Sequence, residues 1–174
     1  KPKNIKWLFI AFICGLLASI FLCILGNALY GNSYENWYSY IGKSYKIPGD
    51  LSHNDRKILF VVMAFIGMTF SPIGEELFFR GIVHSSFAKS MGERKASTVD
   101  GSAFALTHIS HFGMVFINGR WDFLTIPAVL WVASMFLVSL LFFVFRKYSR
   151  SILGAIICHS AFNLGMIYSI FYLM

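Results

Sequence analysis

Three charged residues, Glu75, Glu76 and Arg80, lie close together in a strongly apolar part of the chain. Charge in the hydrocarbon region of a bilayer is costly, so such residues generally face a charged partner, a cavity or a reaction centre. Glu76 and Arg80 are four residues apart and share a helix face, where they can form an ion pair. Glu75 is turned by about 100° and stays free to act as a general base. The alternative is an ion-pair network that only holds helices together.

Further polar residues follow at His108, His159 and Asn163, and the last two share a helix face. Counted from the nearest basic residue, these three residues and Glu75 all lie roughly 13 to 21 Å into the membrane, at about 1.5 Å per helical residue. The histidines could hold a water that Glu75 deprotonates for attack on a carbonyl. His159 and Asn163 could then donate to the oxyanion. A single intramembrane histidine is more often a hydrogen-bonding link between helices.

A metal site is a second chemical possibility. Glu75, His108 and His159 are residue types that can bind zinc with a water in the fourth position. The chain contains no HExxH, so the helix motif of soluble metalloproteases is excluded.

The composition is that of a polytopic membrane protein. Of the 174 residues, 57% are hydrophobic and 13% are charged, far from the averages of soluble proteins. The apolar segments use most of the chain, so we expect one membrane domain over residues 1–174, embedded in the lipid bilayer. The Lys and Arg residues are scattered between these segments rather than gathered in a stripe, which argues against a nucleic-acid partner. Oligomeric state is not readable from the sequence.

The apolar pattern predicts an all-α fold, a polytopic transmembrane helical bundle of about five spans. We place a break in the second span at Ser71-Pro72, because proline lacks an N–H and clashes with the preceding turn, and serine is a good N-cap. The predicted spans cover about residues 7–30, 58–88, 97–117, 123–145 and 151–172.

The basic residues between the spans are distributed unevenly between the two sides of the membrane. The larger group is Lys1, Lys3, Lys6, Lys89, Arg94, Lys95, Arg146, Lys147 and Arg150, and the smaller is Lys43, Lys46, Arg56, Lys57 and Arg120. Cytoplasmic loops carry an excess of Lys and Arg, so we expect a cytoplasmic N-terminus.

The charged and polar residues also form three motifs in order. Residues Glu75–Arg80 read EExxxR, Phe104–His108 read FxxxH, and His159–Asn163 read HxxxN. In these motifs the chain resembles the CAAX protease and bacteriocin-processing family, also called CPBP or Abi. The resemblance covers a catalytic core at about residues 58–173, with residues 7–30 as an additional N-terminal span. The chain is short beside members with six to eight spans.

The resemblance implies an intramembrane endopeptidase that cleaves a membrane-associated, prenylated or bacteriocin-like peptide, here in a bacterial plasma membrane. It makes Glu75 the water-activating base and His108 a residue that helps to hold the water. It makes His159 and Asn163 the oxyanion site. The alternative is a non-catalytic bacteriocin-immunity or regulatory membrane protein that binds a peptide or partner.

The resemblance further implies that Glu76 and Arg80 support the geometry of the site. Members of this family are described both as metalloendopeptidases and as glutamate proteases without metal. We favour the glutamate type without a cofactor, because Asn163 suits an oxyanion and is a poor zinc ligand. Zinc remains the alternative.

Overall fold

The computed structural model describes residues 4–174, and helices form most of it. Lys1 and Lys3, which were counted in the topology prediction, lie outside the described residues. The elements are α1 (Lys6–Tyr30), α2 (Trp37–Ser44), α3 (His53–Glu76), α4 (His84–Met91), α5 (Glu93–Thr107), β1 (Met114–Ile117), β2 (Arg120–Phe123), α6 (Thr125–Ser149) and α7 (Ile152–Tyr172). A π-helix, Leu77–Val83, joins α3 to α4, and a 3-10 turn, His108–Ser110, follows α5.

Several helices begin at the polar caps that the sequence supplies. The Asn36 side chain accepts hydrogen bonds from the first turn of α2, Ser52 does so for α3, and Ser151 does so for α7. Such caps satisfy backbone N–H groups that have no partner within the helix.

Among the described residues, four helices are long and apolar enough to cross a membrane: Lys6–Tyr30, His53–Met91, Thr125–Ser149 and Ile152–Tyr172. The predicted transmembrane bundle is therefore confirmed. The segment 97–117, which was predicted to be a further span, is not one continuous helix.

That segment contains α5, which has 15 residues and ends at Thr107, followed by the turn and the antiparallel hairpin of β1 and β2. Fifteen helical residues reach only about 22 Å, less than the hydrocarbon core. Gly113, with a φ of 126°, lies at the start of the hairpin in a conformation that a helix cannot use.

The predicted break at Ser71-Pro72 is wrong, because α3 continues through both residues. Proline removes the N–H that would bond to the Met68 carbonyl. In the structure the Ser160 hydroxyl of α7 donates to that carbonyl over 2.6 Å. The Asn163 amide donates to the neighbouring Gly67 carbonyl over 2.9 Å. Side chains from the adjacent helix thus satisfy the carbonyls near the proline, and the helix needs no break. The departure from α-helical geometry comes one turn later, in the π-helix.

The central helix of the bundle is α7, against which α1, α3 and α6 pack. Glycines allow the close approach of α1. A Cβ at Gly165 would lie 2.9 Å from the Ser19 Cβ and 3.1 Å from the Leu16 carbonyl oxygen, and Gly15 lies directly against the Cys158 carbonyl. Small residues at such contacts are typical of membrane helices. The additional N-terminal span is therefore packed onto the helix that carries the HxxxN motif.

The two ends of the bundle differ in structure. At one end, Trp7 of α1 stacks on Tyr148 of α6, with ring centroids 4.6 Å apart. At the other end, the Phe116 N–H of the hairpin donates to the Tyr40 hydroxyl of α2 over 2.9 Å. The basic residues Arg146, Lys147 and Arg150 lie at the first end, and α2 and the hairpin cover the second.

The hydrogen bond from the Ser160 hydroxyl to the Met68 carbonyl leads to a testable prediction. Ser160→Ala should lower the free energy of unfolding by about 1 kcal/mol, because the Met68 carbonyl loses its donor. The same change in a Pro72→Ala background should cost little, because the alanine restores a backbone N–H that can donate to that carbonyl. Thermal unfolding of the four proteins in detergent measures both costs, and equal costs in the two backgrounds would contradict the account.

Candidate active site

A buried carboxylate joins two of the three motifs. Glu76 Oε1 accepts a hydrogen bond from His159 Nδ1 over 2.9 Å, and Oε2 forms an ion pair with Arg80 Nε at 3.1 Å. This contact confirms the predicted i,i+4 pair of Glu76 and Arg80. Both residues are fully buried. An ionised carboxylate can only accept, so Nδ1 of His159 carries the hydrogen. Arg80 also donates to the Ser139 carbonyl over 3.0 Å and to its hydroxyl over 2.6 Å.

Aromatic rings surround this charged group. The Arg80 guanidinium carbon lies 4.7 Å from the ring centroid of Phe104 and 5.6 Å from that of Phe142. Phe142 also stacks on His159 with 4.6 Å between ring centroids and 16° between planes. A desolvated guanidinium gains from aromatic faces, and these rings fix both it and the imidazole. The π-helix contains Arg80, and such irregular turns frequently occur at functional sites.

Glu75 has a different environment from its neighbour. The Ser71 hydroxyl donates to Oε1 of Glu75. Oε2 is buried and has no hydrogen-bond partner among residues 4–174. Oε2 of Glu76 also lacks a hydrogen bond but lies 3.1 Å from Arg80 Nε, so Glu75 is the glutamate whose oxygen has neither a hydrogen bond nor an ionic partner.

His108 is held at the point where α5 ends. Its Nδ1 donates to the Phe104 carbonyl over 2.8 Å, and its own carbonyl accepts from Trp131 Nε1 over 3.0 Å. With Nδ1 as the donor, Nε2 of the neutral ring is an acceptor. His108 is thus fixed by a helix end and by α6.

One cavity, of about 440 Å³, is lined by all four residues that the sequence singled out for catalysis: Glu75, His108, His159 and Asn163. Its apolar walls include Met135, Val138, Phe142, Phe162, Met166 and Ile167. Towards α2 and the hairpin it is lined by Tyr40, Tyr45, Ser110, Met114 and Trp121, among others. Glu76 and Arg80 are not among the described lining residues; they support the site through the contact of Glu76 with His159.

Comparison with known proteins decides the family. Residues 57–165 match the type II CAAX prenyl endopeptidase Rce1-like family, and all three motifs lie within this range. The chain belongs to this family. The Rce1-like family is part of the CPBP family, so the resemblance to the CPBP family drawn from the three motifs is confirmed. No curated protein sequence and no solved structure matches the chain at a significant level.

Membership supports a protease of the CAAX type with a peptide substrate at the membrane. Together with the four apolar helices, it makes the Rce1-like chain an integral membrane protein.

The zinc alternative requires Glu75, His108 and His159 to converge on one ion. These residues line the same cavity, but the described part of the Rce1-like chain has no group of three His, Cys, Asp or Glu side chains close enough to hold a metal. The residue types suit zinc, but in this arrangement their side chains do not converge on one point, and we derive no catalytic step through a metal.

Sequence reasoning missed several residues that shape the site of the Rce1-like protein. Ser139 binds Arg80, and Ser160 binds the Met68 carbonyl. Both are single serines in apolar helices, which is a weak signal without knowledge of the facing helix. His84, one turn beyond Arg80, is by contrast a sequence candidate for extending the ion-pair network, and it bridges Asp100 at 2.9 Å and Glu93 at 3.0 Å.

The buried pair predicts a large effect on stability. Glu76→Gln should lower the free energy of unfolding of the Rce1-like protein by about 3–5 kcal/mol, because Arg80 would be left as an uncompensated buried charge. Glu35→Gln, which removes an exposed loop carboxylate, is the control and should change little. Thermal unfolding in detergent measures both variants. A Glu76→Gln protein as stable as the control would show that the ion pair does not hold the helices.

Proposed function

We propose that this Rce1-like protein hydrolyses a peptide bond of a membrane-associated peptide with a water molecule activated by Glu75. The observation that carries the proposal is the division between two adjacent glutamates. Glu75 has an unpartnered oxygen and lines the cavity, whereas Glu76 is committed to Arg80 and His159. A general base needs a free lone pair within reach of the water it deprotonates, and Glu75 meets the first condition.

His108 is proposed to hold the attacking water. With Nδ1 committed to the Phe104 carbonyl, Nε2 can accept one hydrogen of a water in the shared cavity. Glu75 then accepts the other hydrogen as the water oxygen attacks the substrate carbonyl. The proton on Glu75 passes to the leaving amine when the tetrahedral intermediate collapses.

His159 and Asn163 are proposed to stabilise the oxyanion of that intermediate. Asn163 uses one amide hydrogen for the Gly67 carbonyl, which orients the group and leaves the second hydrogen for the oxyanion. His159 can donate from Nε2 only when the ring carries both protons, because its Nδ1 hydrogen is already committed to Glu76. Donors fixed in this way stabilise developing charge without reorganisation.

The proposed substrate is an apolar or lipid-modified peptide. The apolar walls of the cavity favour a hydrophobic ligand with few polar contacts. The family description names a prenyl endopeptidase, and a prenylated or bacteriocin-like peptide is the corresponding proposal here. We further propose a bacterial plasma membrane as the location. The N-terminal end of the bundle, which carries Arg146, Lys147 and Arg150, would then face the cytoplasm.

The test is turnover of a fluorogenic peptide library, with farnesylated and unmodified members, by the detergent-purified protein and by Glu75→Gln. Glutamine keeps the shape and the contact with Ser71 but cannot take a proton. We expect Glu75→Gln to lower kcat by about 10²- to 10⁴-fold with unchanged thermal stability. Glu35→Gln should retain full activity, and a chelator should leave the parent active.

Three results would contradict parts of the proposal. Turnover retained by Glu75→Gln would remove this residue as the base. Loss of parent activity with chelator would favour the zinc alternative. Peptide binding without turnover in both proteins would favour the non-catalytic immunity or regulatory function.

A further inference from the structure

A second cavity, of about 370 Å³, lies away from the proposed catalytic residues, at the basic end of the bundle. It is lined by Arg80, Gly81, Glu93, Phe143, Arg146, Lys147, Arg150, Ser151 and Ile152. The cavity thus lies where α6 ends, α7 begins and the π-helix passes behind them.

The rim of this cavity carries positive charge that the protein itself leaves unpaired. Arg146, Lys147 and Arg150 form no salt bridge with any residue in the range 4–174. The one acidic lining residue, Glu93, binds His84 at 3.0 Å. The first turn of α7, which begins after Ser151, adds the partial positive charge of a 21-residue helix.

The inner wall contains an unsatisfied donor. Arg80 is fully buried; its Nη2 donates to Ser139, and its Nε lies 3.1 Å from Glu76 Oε2 in an ion pair without hydrogen-bond geometry. Nη1 has neither a hydrogen bond nor an ionic partner in the described chain. A buried donor without a partner is costly, so the position favours a ligand that supplies acceptor oxygens. A guanidinium suits phosphate oxygens in particular.

We propose that this cavity binds a phosphate group, such as that of an anionic lipid headgroup. The basic rim, the start of α7 and Nη1 of Arg80 all favour a phosphate anion. The cavity lies at the ends of two spanning helices, where headgroup phosphates are located. Phe143 and Ile152 provide apolar surface beside the charges for the start of an acyl chain.

A phosphate in the cavity would supply an acceptor for Nη1 of Arg80. Arg80 fixes Glu76, which in turn holds His159, so the phosphate would adjoin the support of the catalytic site. This binding is independent of whether the proposed hydrolysis occurs, and its test measures binding alone.

The test titrates the full chain in detergent with dioleoyl phosphatidylglycerol, with dioleoyl phosphatidylcholine and with inorganic phosphate, and measures bound ligand by native mass spectrometry. The binding variant combines Lys147→Gln with Arg150→Gly. Glycine fits at position 150, where the backbone φ is 53°, so the change removes charge without backbone strain. The control combines Lys89→Gln with Lys95→Gln, two exposed basic residues outside the cavity lining.

We expect the parent to bind phosphatidylglycerol more tightly than phosphatidylcholine. The binding variant should lose about tenfold or more in affinity and the control should lose little. Competition by inorganic phosphate identifies a site for phosphate itself, and binding of the lipid alone identifies a headgroup site. Either result supports the proposed chemistry if the binding is weakened in the Lys147→Gln, Arg150→Gly variant. Equal losses in the binding variant and the control, or no binding by the parent, would overturn the proposal.

A second variant changes the affinity in the opposite direction. Glu93→Gln removes the only negative charge from the described lining and retains an acceptor for His84. It should tighten phosphatidylglycerol binding by a few-fold, a gain that partial unfolding cannot produce. Unchanged or weaker binding in a folded Glu93→Gln protein would also overturn the proposal.

Discussion

The ion pair between Glu76 and Arg80 is the interaction on which the rest of the structure depends. Both side chains are fully buried within an apolar bundle, so each must be neutralised where it lies. The pair recruits Ser139 from α6 and His159 from α7, and it therefore joins the EExxxR helix to two others. Phe142 packs against both Arg80 and His159 and completes the enclosure.

This constraint also gives the two adjacent glutamates different roles. The helix period turns Glu75 away from the direction that Glu76 must face to reach Arg80. Glu75 consequently lines the cavity into which His108 and Asn163 also project. The same turn of helix thus supplies a rigid support on one side and a free carboxylate on the other. A single glutamate could not meet both demands.

The sequence predicted those features that depend on local spacing. The Glu76–Arg80 pair follows from four-residue spacing on one helix, and the shared cavity of the motif residues follows from their similar depth in the membrane. Features set by a distant partner were not predictable in this way. The continuity of α3 through Pro72 depends on Ser160, 92 positions away in sequence from the Met68 carbonyl that it binds. The short α5, which packs against α6 and is followed by a hairpin instead of a continued helix, is a second feature that local spacing did not predict.

The most direct test of the central claim is carboxylate labelling of the folded protein with a membrane-permeant carbodiimide and an amine nucleophile. Tandem mass spectrometry can then assign the modification to Glu75 or to Glu76. The account predicts modification of Glu75 in the folded protein and modification of Glu76 only after unfolding. Equal modification of both residues in the folded state, or preferential modification of Glu76, would contradict the division between a cavity-facing base and a buried support.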